Sequence, residues 1–186
     1  MSLTQYYTAT SLDGFIADEN HSLDWLFTCQ QNRNGPLNYA DFIAEVGAIA
    51  MGATTYEWLL DHELAGKGSA AWKWPYEVPT WVFAHRELTV VPDADIRFVQ
   101  GDVAPVHEAM LRAAGEKNRW IVGGGDLAGQ FADEGLLDEV IVYIAPVTLG
   151  GGAPLLARRL ELRSEEISRN GDFVAARYSV VPGGEP

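Results

Sequence analysis

The feature that most constrains the fold is a run of three glycines, Gly123-Gly124-Gly125, between a strand and a helix. Residues 120–122 are apolar and short enough for a buried strand, and a helical pattern begins at about Asp126. A strand that passes through glycines straight into a helix is a βα unit, and such units build sheets with helices on their faces. The sequence therefore predicts an α/β protein.

The remaining segments continue this alternation of strands and helices. Periodicity and turn residues predict strands at 3–10, 47–51, 80–84, 96–100 and 137–145, helices at 37–46, 54–60, 104–114 and 126–133, and an irregular, Trp-rich segment at 61–79. Residues 165–169 and 173–181 alternate on either side of Asn170-Gly171-Asp172, which is typical of an antiparallel hairpin. No repeat or linker divides the chain. We therefore expect residues 1–186 to form one domain around a mixed sheet with helices on both faces.

Charge and composition argue against several classes of partner. The chain has 26 acidic and 13 basic residues, a net charge of −13 and no basic stripe, so nucleic acid is not expected as a partner. Cys29 is the single cysteine and the four histidines lack metal-ligand spacing, which argues against a disulfide and a metal site. No apolar run reaches membrane-spanning length and no signal-peptide pattern opens the sequence. We therefore expect a cytoplasmic protein without a membrane partner.

The glycines also indicate a ligand chemistry. Without Cβ atoms the backbone at Gly123-Gly124-Gly125 can approach a phosphate closely, and the free amides and dipole of the next helix favour negative charge. A pyrophosphate is the expected ligand. The alternative is a tight turn that binds no ligand. Gly123-x-Gly125-x-x-Ala128 also satisfies the Rossmann dinucleotide fingerprint. We reject that fold because too few elements follow, and because Asp138 and Glu139 precede the next strand instead of ending it.

Four blocks of sequence are similar, in order and spacing, to a known family. They are TATSLDGFIA at 8–17, MGATTYE at 51–57, WIVGGGDL at 120–127, and GLLDE at 135–139 followed by PVTLGGG at 146–152. Together they resemble the riboflavin-biosynthesis reductase C-terminal domain family (RibD C-terminal type) of the dihydrofolate-reductase-like superfamily. The resemblance implies a mostly parallel central sheet, a C-terminal antiparallel hairpin, and NADPH as the cofactor.

The resemblance also assigns residues to parts of NADPH. One group would contact the nicotinamide, two turns would hold the pyrophosphate from opposite sides, and one segment would lie at the adenosine ribose. The nicotinamide contacts would be Ala9, Ile16 and Ala17. The pyrophosphate would be held by Gly52, Ala53, Thr54 and Thr55 on one side and by Val122, Gly123, Gly124, Gly125, Asp126 and Leu127 on the other. The segment at the adenosine ribose would be Ala84, His85 and Arg86. Arg86 would grip the 2′-phosphate with its forked donors and favour NADPH over NADH, the alternative being a solvated surface arginine.

Three positions depart from the residues that the family usually has there. Phe15 stands where the riboflavin-pathway enzymes have lysine, Val122 where they often have glutamate, and Ala53 at a position that is commonly arginine in the superfamily. The first two remove polar groups expected near a phosphoribosyl substrate. We predict an NADPH-dependent reductase of a small heterocyclic or carbonyl compound, resembling 5-amino-6-(5-phosphoribosylamino)uracil reductase but with altered substrate contacts. The alternative is a non-catalytic NADP(H)-binding protein of the same fold.

The proton donor and the substrate contacts are less constrained. Dihydrofolate reductases carry a carboxylate on the first helix, but the apolar stripe of that predicted helix centres roughly 150° from Asp41, which places Asp41 in solvent. Asp13, on the loop that covers the nicotinamide in the superfamily, is the preferred catalytic candidate, with an ordinary Asp-Gly turn or a donating water as alternatives. Trp25, Tyr56 and Tyr143 are candidate substrate neighbours, or else core residues.

The resemblance further implies a homodimer. The apolar strand at 140–145 and the six tryptophans would suit an interface between identical copies. The second glycine tract, Gly150-Gly151-Gly152, either borders the substrate mouth or is a flexible connection.

Overall fold

The computed structural model describes residues 2–63 and 73–182, which form ten strands and five helices. The strands are β1 (Thr4–Thr10), β2 (Phe15–Ala17), β3 (Val46–Gly52), β4 (Thr80–Phe83), β5 (Ile96–Val99), β6 (Asn118–Val122), β7 (Glu139–Ile144), β8 (Ala153–Pro154), β9 (Leu162–Asn170) and β10 (Phe173–Val180). The helices are α1 (Asp24–Phe27), α2 (Tyr39–Ala44), α3 (Ala53–Glu63), α4 (Val103–Ala114) and α5 (Gly125–Asp133). None of these helices is long and apolar enough to cross a membrane. Residues 64–72 of the predicted irregular segment lie outside the described residues.

Eight strands form one sheet, in the order β5-β4-β3-β6-β1-β7-β10-β9. Every neighbouring pair from β5 to β7 is parallel, whereas β10 is antiparallel to both β7 and β9. The predicted mixed, mostly parallel sheet with a C-terminal antiparallel hairpin is therefore confirmed. The parallel strands all end at one rim, which is where open α/β sheets bind their ligands.

The two faces of the sheet bury alternate residues of each strand. In β3, Ala50 belongs to a core cluster that includes Met110 of α4 and Phe131 of α5. Its neighbour Met51 points to the opposite face and packs in a second cluster with Tyr56 of α3. A side chain of this size contributes about 1.5–3 kcal/mol when it is fully buried. Helices thus cover both faces, as predicted.

The helix predicted at 37–46 is shorter in the structure. Leu37 has a left-handed backbone with φ of 55°, and Asn38 caps α2 by accepting a hydrogen bond from the Asp41 amide at 2.9 Å. At the other end, Val46 is 2% exposed and already belongs to β3. Periodicity cannot separate the last turn of a helix from a buried strand that follows at once. Asp41 is exposed, as predicted, and its carboxylate accepts a hydrogen bond from the Asn38 side chain at 2.7 Å.

A second, two-stranded sheet joins loops that the sequence does not connect. β2 pairs antiparallel with β8, and Ala17 lies opposite Ala153. Both strands are too short for a detectable alternation of polar and apolar residues. Their pairing brings the loop after β1 against the glycine tract at 150–152.

The predicted dimer interface is buried inside the monomer. The strand predicted at 137–145 is β7, which lies between β1 and β10. Val140, Val142 and Tyr143 are each no more than 4% exposed. The prediction that this strand supplies an interface between copies is therefore wrong, because its edges and faces are already covered.

Candidate functional site

The two predicted ligand-binding turns lie side by side at the carboxyl rim of the sheet. β3 leads into α3 at Ala53 and β6 leads into α5 at Gly125, and the two strands are parallel neighbours. A Cβ atom built on Gly123 would lie 2.5 Å from the Thr55 hydroxyl oxygen, so the turns are in contact. Gly123 also has a left-handed backbone with φ of 60°, a conformation that residues with a side chain rarely adopt.

The N-terminus of α5 is open at this point. Its N-cap, Gly124, is left-handed (φ 59°, ψ 83°), and no described side chain accepts a hydrogen bond from its first amides. A Cβ atom at Gly125 would overlap the carbonyl oxygens of Pro154 and Leu155, so the chain has room only for glycine there. Free amides, the positive end of the helix dipole and a turn without side chains form a cradle that suits a phosphate. These residues fit the pyrophosphate of a dinucleotide.

A cavity of about 1150 Å³ opens beside this glycine cradle. Most of the predicted cofactor residues and one predicted substrate neighbour line it. They are Ala9, Ile16, Ala17, Thr54, Thr55, Val122, Gly123, Gly124, Gly125, Asp126 and Tyr143. Gly52 and Ala53 lie outside the lining, at the end of β3 and the start of α3. The side chain of Leu127 is only 6% exposed and packs in the core beneath α5, so it does not reach the cavity.

Part of the cavity wall is formed by β1 and β2. Ala9 on β1 and Ile16 and Ala17 on β2 present small or apolar side chains to the cavity. A Cβ atom at Gly152 would overlap the Ala17 carbonyl oxygen. Gly152, the last residue of the second glycine tract, therefore packs closely on β2 from behind this wall.

Asp13 holds this region together and is not placed to donate a proton. Its carboxylate accepts hydrogen bonds from the amides of Leu149 and Gly150, at 3.1 Å and 2.7 Å, and from the Ser11 hydroxyl at 2.6 Å. The Ser11 hydroxyl, followed by the two amides, lowers the pKa of Asp13 to about 2. The carboxylate is therefore ionised at neutral pH, and Asp13 does not line the cavity. The structure corrects the assignment of Asp13 as the catalytic acid.

Four aromatic residues, Tyr7, Tyr39, Tyr76 and Trp120, line one side of the large cavity and are called the aromatic wall below. The Trp120 ring centroid lies 6.4 Å from that of Tyr7, 5.8 Å from that of Tyr39 and 5.7 Å from that of Tyr76. The Trp120 indole N–H donates to the Tyr7 carbonyl at 3.1 Å, which fixes the ring. Rings held edge to face in this way suit a flat, unsaturated ligand.

The three predicted substrate neighbours have different positions. Tyr143 lines the cavity, and its hydroxyl donates to the Pro36 carbonyl at 2.7 Å. Tyr56 is 0% exposed, and its hydroxyl donates to the Thr89 carbonyl at 2.6 Å within the core. Trp25 packs against the core cluster that contains Tyr143, outside the cavity lining. The assignment of Tyr56 to the substrate is therefore wrong, because its ring is buried in the core, and partly buried Trp25 does not line the cavity either.

Arg86 lies away from the glycine cradle but is linked to the large cavity. Together with Ala84 and His85 it lines a smaller cavity of about 730 Å³. Glu57 of α3 lines the large cavity and accepts two hydrogen bonds from the Arg86 guanidinium, at 2.6 Å and 2.5 Å. These bonds lower the pKa of Glu57 and raise that of Arg86, so both groups are charged at neutral pH. An ion pair thus joins the predicted ribose-binding segment to the lining of the large cavity.

Sequence reasoning missed the aromatic wall and Glu57. Tyr7 precedes Ala9 by two residues on β1, so strand alternation placed both on one face and was a usable signal. Glu57 follows Thr54 by three residues on a helix, and such residues are neighbours on the helix surface. Tyr39 and Tyr76 come from separate segments, and no local pattern brings them to Trp120. No cluster of metal-ligating side chains occurs within residues 2–63 and 73–182.

The chain is similar in sequence to proteins of one family. Residues 4–172 match the family described as the RibD C-terminal domain. The chain is 31% identical over 187 residues to the uncharacterised protein YwjB of Bacillus subtilis (strain 168), covering 94% of this chain and 96% of that protein. It is 32% identical over 83 residues to the riboflavin biosynthesis protein RibD of Haemophilus influenzae, covering 40% of this chain and 21% of that protein.

Solved structures share the fold. A putative riboflavin biosynthesis protein from Shewanella sp. PV-4 superposes with a TM-score of 0.75 at 28% identity, covering 96% of this chain and 99% of that chain. The deaminase/5-amino-6-(5-phosphoribosylamino)uracil reductase of Thermotoga maritima has a TM-score of 0.61 at 15% identity, covering 97% of this chain and 57% of that chain, which is a likeness of fold alone. With the family match over residues 4–172 and a relative 31% identical over nearly its whole length, this chain belongs to the RibD C-terminal domain family.

Proposed function

We propose that this chain is an NADPH-dependent reductase that transfers hydride to a small heterocyclic or carbonyl compound. The observation that carries the proposal is the contact between the glycine turn after β6 and Thr55 of the turn after β3. The cradle formed there opens into the same cavity as the aromatic wall. A site for a pyrophosphate and a site for a flat ring therefore share one cavity, in which the nicotinamide of a bound dinucleotide and an acceptor ring would meet.

The residues that line the cavity have different roles in the proposed reaction. The two turns hold the pyrophosphate, while Ala9, Ile16 and Ala17 offer an apolar surface for the nicotinamide. NADPH supplies the hydride when it is bound. The aromatic wall positions the acceptor ring. The proton comes from a water molecule in the cavity, because the Asp13 carboxylate is ionised and hydrogen-bonded to a loop.

The charges around the cavity support an acceptor without a phosphate group. Arg33 is the only lysine or arginine among the described residues that line the large cavity, and it is exposed. Three carboxylates, from Glu57, Asp61 and Asp126, line the same cavity. Phe15, in place of the family's lysine, adds no positive charge. A neutral ring or carbonyl compound suits this lining better than a phosphoribosyl compound does.

The test is to incubate the protein with NADPH and panels of pteridines, aminouracils and quinones. NADPH oxidation is measured as the loss of reduced-nicotinamide absorbance. We expect turnover with an uncharged compound, and little with dihydrofolate or a phosphoribosylated aminouracil. Absence of NADPH binding in a direct titration would contradict the proposal, since it depends on the glycine cradle.

A second candidate is a non-catalytic NADP(H)-binding protein of the same fold. One observation favours it: neither of the two carboxylates considered from the sequence, Asp13 and Asp41, lines the cavity. Tight NADPH binding without oxidation by any compound of the three panels would support this candidate over the reductase.

A further inference from the structure

An ion pair separates the two cavities at the carboxyl rim. Glu57 lines the large cavity, Arg86 lines the smaller one, and both terminal guanidinium nitrogens of Arg86 are engaged by the two carboxylate oxygens of Glu57. The pair is partly solvent-accessible, with side chains 60% exposed for Arg86 and 38% for Glu57. Glu87 also lines the smaller cavity. The local charge beside Arg86 is therefore negative overall, despite the arginine.

This arrangement bears on the one chemical difference between NADPH and NADH. NADPH carries a phosphate on the adenosine 2′-oxygen, where NADH has a hydroxyl. A free, forked guanidinium suits the phosphate, whereas a carboxylate suits the hydroxyl, from which it accepts a hydrogen bond. In this structure the Glu57 carboxylate occupies both terminal guanidinium nitrogens of Arg86. An incoming 2′-phosphate therefore has to displace that carboxylate, and it then binds close to the carboxylate's negative charge.

We propose that Glu57 determines coenzyme selectivity by occupying Arg86, so that the protein distinguishes only weakly between 2′-phosphorylated and unphosphorylated dinucleotides. This inference rests on the proposed function, because it requires the dinucleotide to extend from the glycine cradle past Glu57 to Arg86. Glu57 opposes the 2′-phosphate by charge repulsion and by competition for the same nitrogens. The exposed pair is weak enough to open, so NADPH binding is reduced and not abolished.

The size of the effect follows from charge and distance. A carboxylate about 5 Å from a phosphate of charge about −2 weakens binding by about tenfold at a water-like dielectric constant. Salt reduces this repulsion because both groups are accessible to solvent. The dissociation constants of NADP⁺ and NAD⁺ for the unmodified protein should therefore differ by less than about tenfold at low salt.

The experiment measures binding of NADP⁺ and NAD⁺, which cannot donate hydride, by titration calorimetry on the full chain. In Glu57→Gln the affinity for NADP⁺ should rise by about tenfold while that for NAD⁺ stays level or falls, and the gain should shrink in high salt. Asp61→Asn is the matched control, since Asp61 lies one helical turn further along α3, lines the same cavity and has no ion pair with Arg86. It removes an equal charge and should leave the NADP⁺/NAD⁺ ratio unchanged.

A second variant shows whether the effect passes through Arg86. In Glu57→Gln combined with Arg86→Ala, NADP⁺ affinity should be lower than in Glu57→Gln alone because the freed guanidinium is then missing, and in Arg86→Ala alone NADP⁺ affinity should fall while NAD⁺ affinity stays constant. An unchanged ratio in Glu57→Gln, an equal gain in Asp61→Asn, or equal loss of both dinucleotides in Arg86→Ala would overturn the inference and leave the reductase proposal standing. If the unmodified protein binds neither dinucleotide, both the proposed function and this inference are wrong.

Discussion

At the scale of single residues, the turn after β6 depends on glycines, because its backbone conformation and close contacts leave no room for a side chain. Gly123 and Gly124 both have positive φ, and the missing Cβ of Gly123 is what lets the Thr55 hydroxyl approach. The same absence leaves the first amides of α5 open toward the cavity. The requirement for glycine and the ability to bind an anion therefore have one structural cause.

Gly123→Ala should weaken both stability and nucleotide binding. The new Cβ would lie 2.5 Å from the Thr55 hydroxyl oxygen and would sit on a left-handed backbone. We expect a loss of about 1–3 kcal/mol in the free energy of unfolding from the backbone strain, and at least about tenfold weaker NADP⁺ binding because the turns are pushed apart. Urea denaturation and calorimetric titration measure these two effects.

Gly135→Ala is the control for that variant. Gly135 has a similar φ of 67°, but a Cβ atom there would have no heavy atom within 4 Å. It should show the cost of the backbone conformation alone and bind NADP⁺ normally. Equal weakening of binding in both variants would contradict the role given to the contact with Thr55.

At the scale of elements, the loop between β1 and β2 and the loop before β8 are joined by Asp13. The carboxylate accepts hydrogen bonds from the Leu149 and Gly150 amides, close to where β2 pairs with β8. Since its pKa is lowered to about 2, the carboxylate is ionised at neutral and mildly acidic pH. This attachment is fully present above the unfolded pKa of about 4 and is lost as the pH falls toward 2.

Asp13→Asn should therefore affect the loop and not the proton transfer. We expect faster hydrogen exchange at the Leu149 and Gly150 amides, because the amide side chain is a weaker acceptor than the carboxylate. The pH profile of kcat between about 5 and 8 should keep the shape seen in the unmodified protein. Loss of an ionisation from that profile would restore Asp13 as the catalytic acid.

The sequence predicted those elements that carry a strong local signal. The β6–glycine–α5 unit and the hairpin of β9 and β10 are both confirmed, and both contain glycines with a left-handed backbone, at Gly123, Gly124 and Gly171. Local patterns do not state which of several apolar side chains reaches a cavity. Tyr56 and Tyr143 are both buried aromatic residues, and only the three-dimensional packing places Tyr143 in the lining and Tyr56 in the core. Contacts such as Asp13 with Gly150 join residues far apart in the chain, which no spacing rule reaches.

At the scale of the whole molecule, a buried polar group connects the helical layer to the centre of the sheet. His107 of α4 lies with its Nε2 atom 2.9 Å from the Thr4 hydroxyl of β1, which also accepts a hydrogen bond from Arg119 Nε of β6 at 3.2 Å. Burial, together with the nearby charge of Arg119, lowers the pKa of His107. The neutral imidazole is therefore the form that stabilises the fold.

The free energy of unfolding should consequently fall as the pH decreases from about 7 to about 5. In that interval the unfolded chain binds a proton at His107 more readily than the folded protein, so acid favours unfolding. His107→Gln, which cannot titrate, should be less stable by about 1 kcal/mol at neutral pH and should show a flatter dependence on pH. Urea denaturation at several pH values measures both, and an equal slope in the two proteins would contradict the role of His107.

The homodimer stays a prediction, now with a different candidate surface. Ile167 on β9 lies opposite Ala176, and Val174 precedes Ala176 by two residues on β10, so both side chains point to one face of the hairpin. They are 64% and 45% exposed. We expect sedimentation to show a dimer that Ile167→Glu converts to monomers, whereas Leu12→Glu, at another exposed apolar residue, leaves it intact. A monomeric unmodified protein would contradict this.

The position of β1 has a consequence for how the protein is made. This first strand lies in the middle of the sheet, between β6 and β7, and Thr4 and the Arg119 beside it are 115 residues apart in the chain. During translation β1 emerges long before either neighbour exists, and a strand with two open edges is prone to mispairing. The sheet closes only after β7 has left the ribosome, so protection of the nascent chain matters most during the synthesis of the intervening residues.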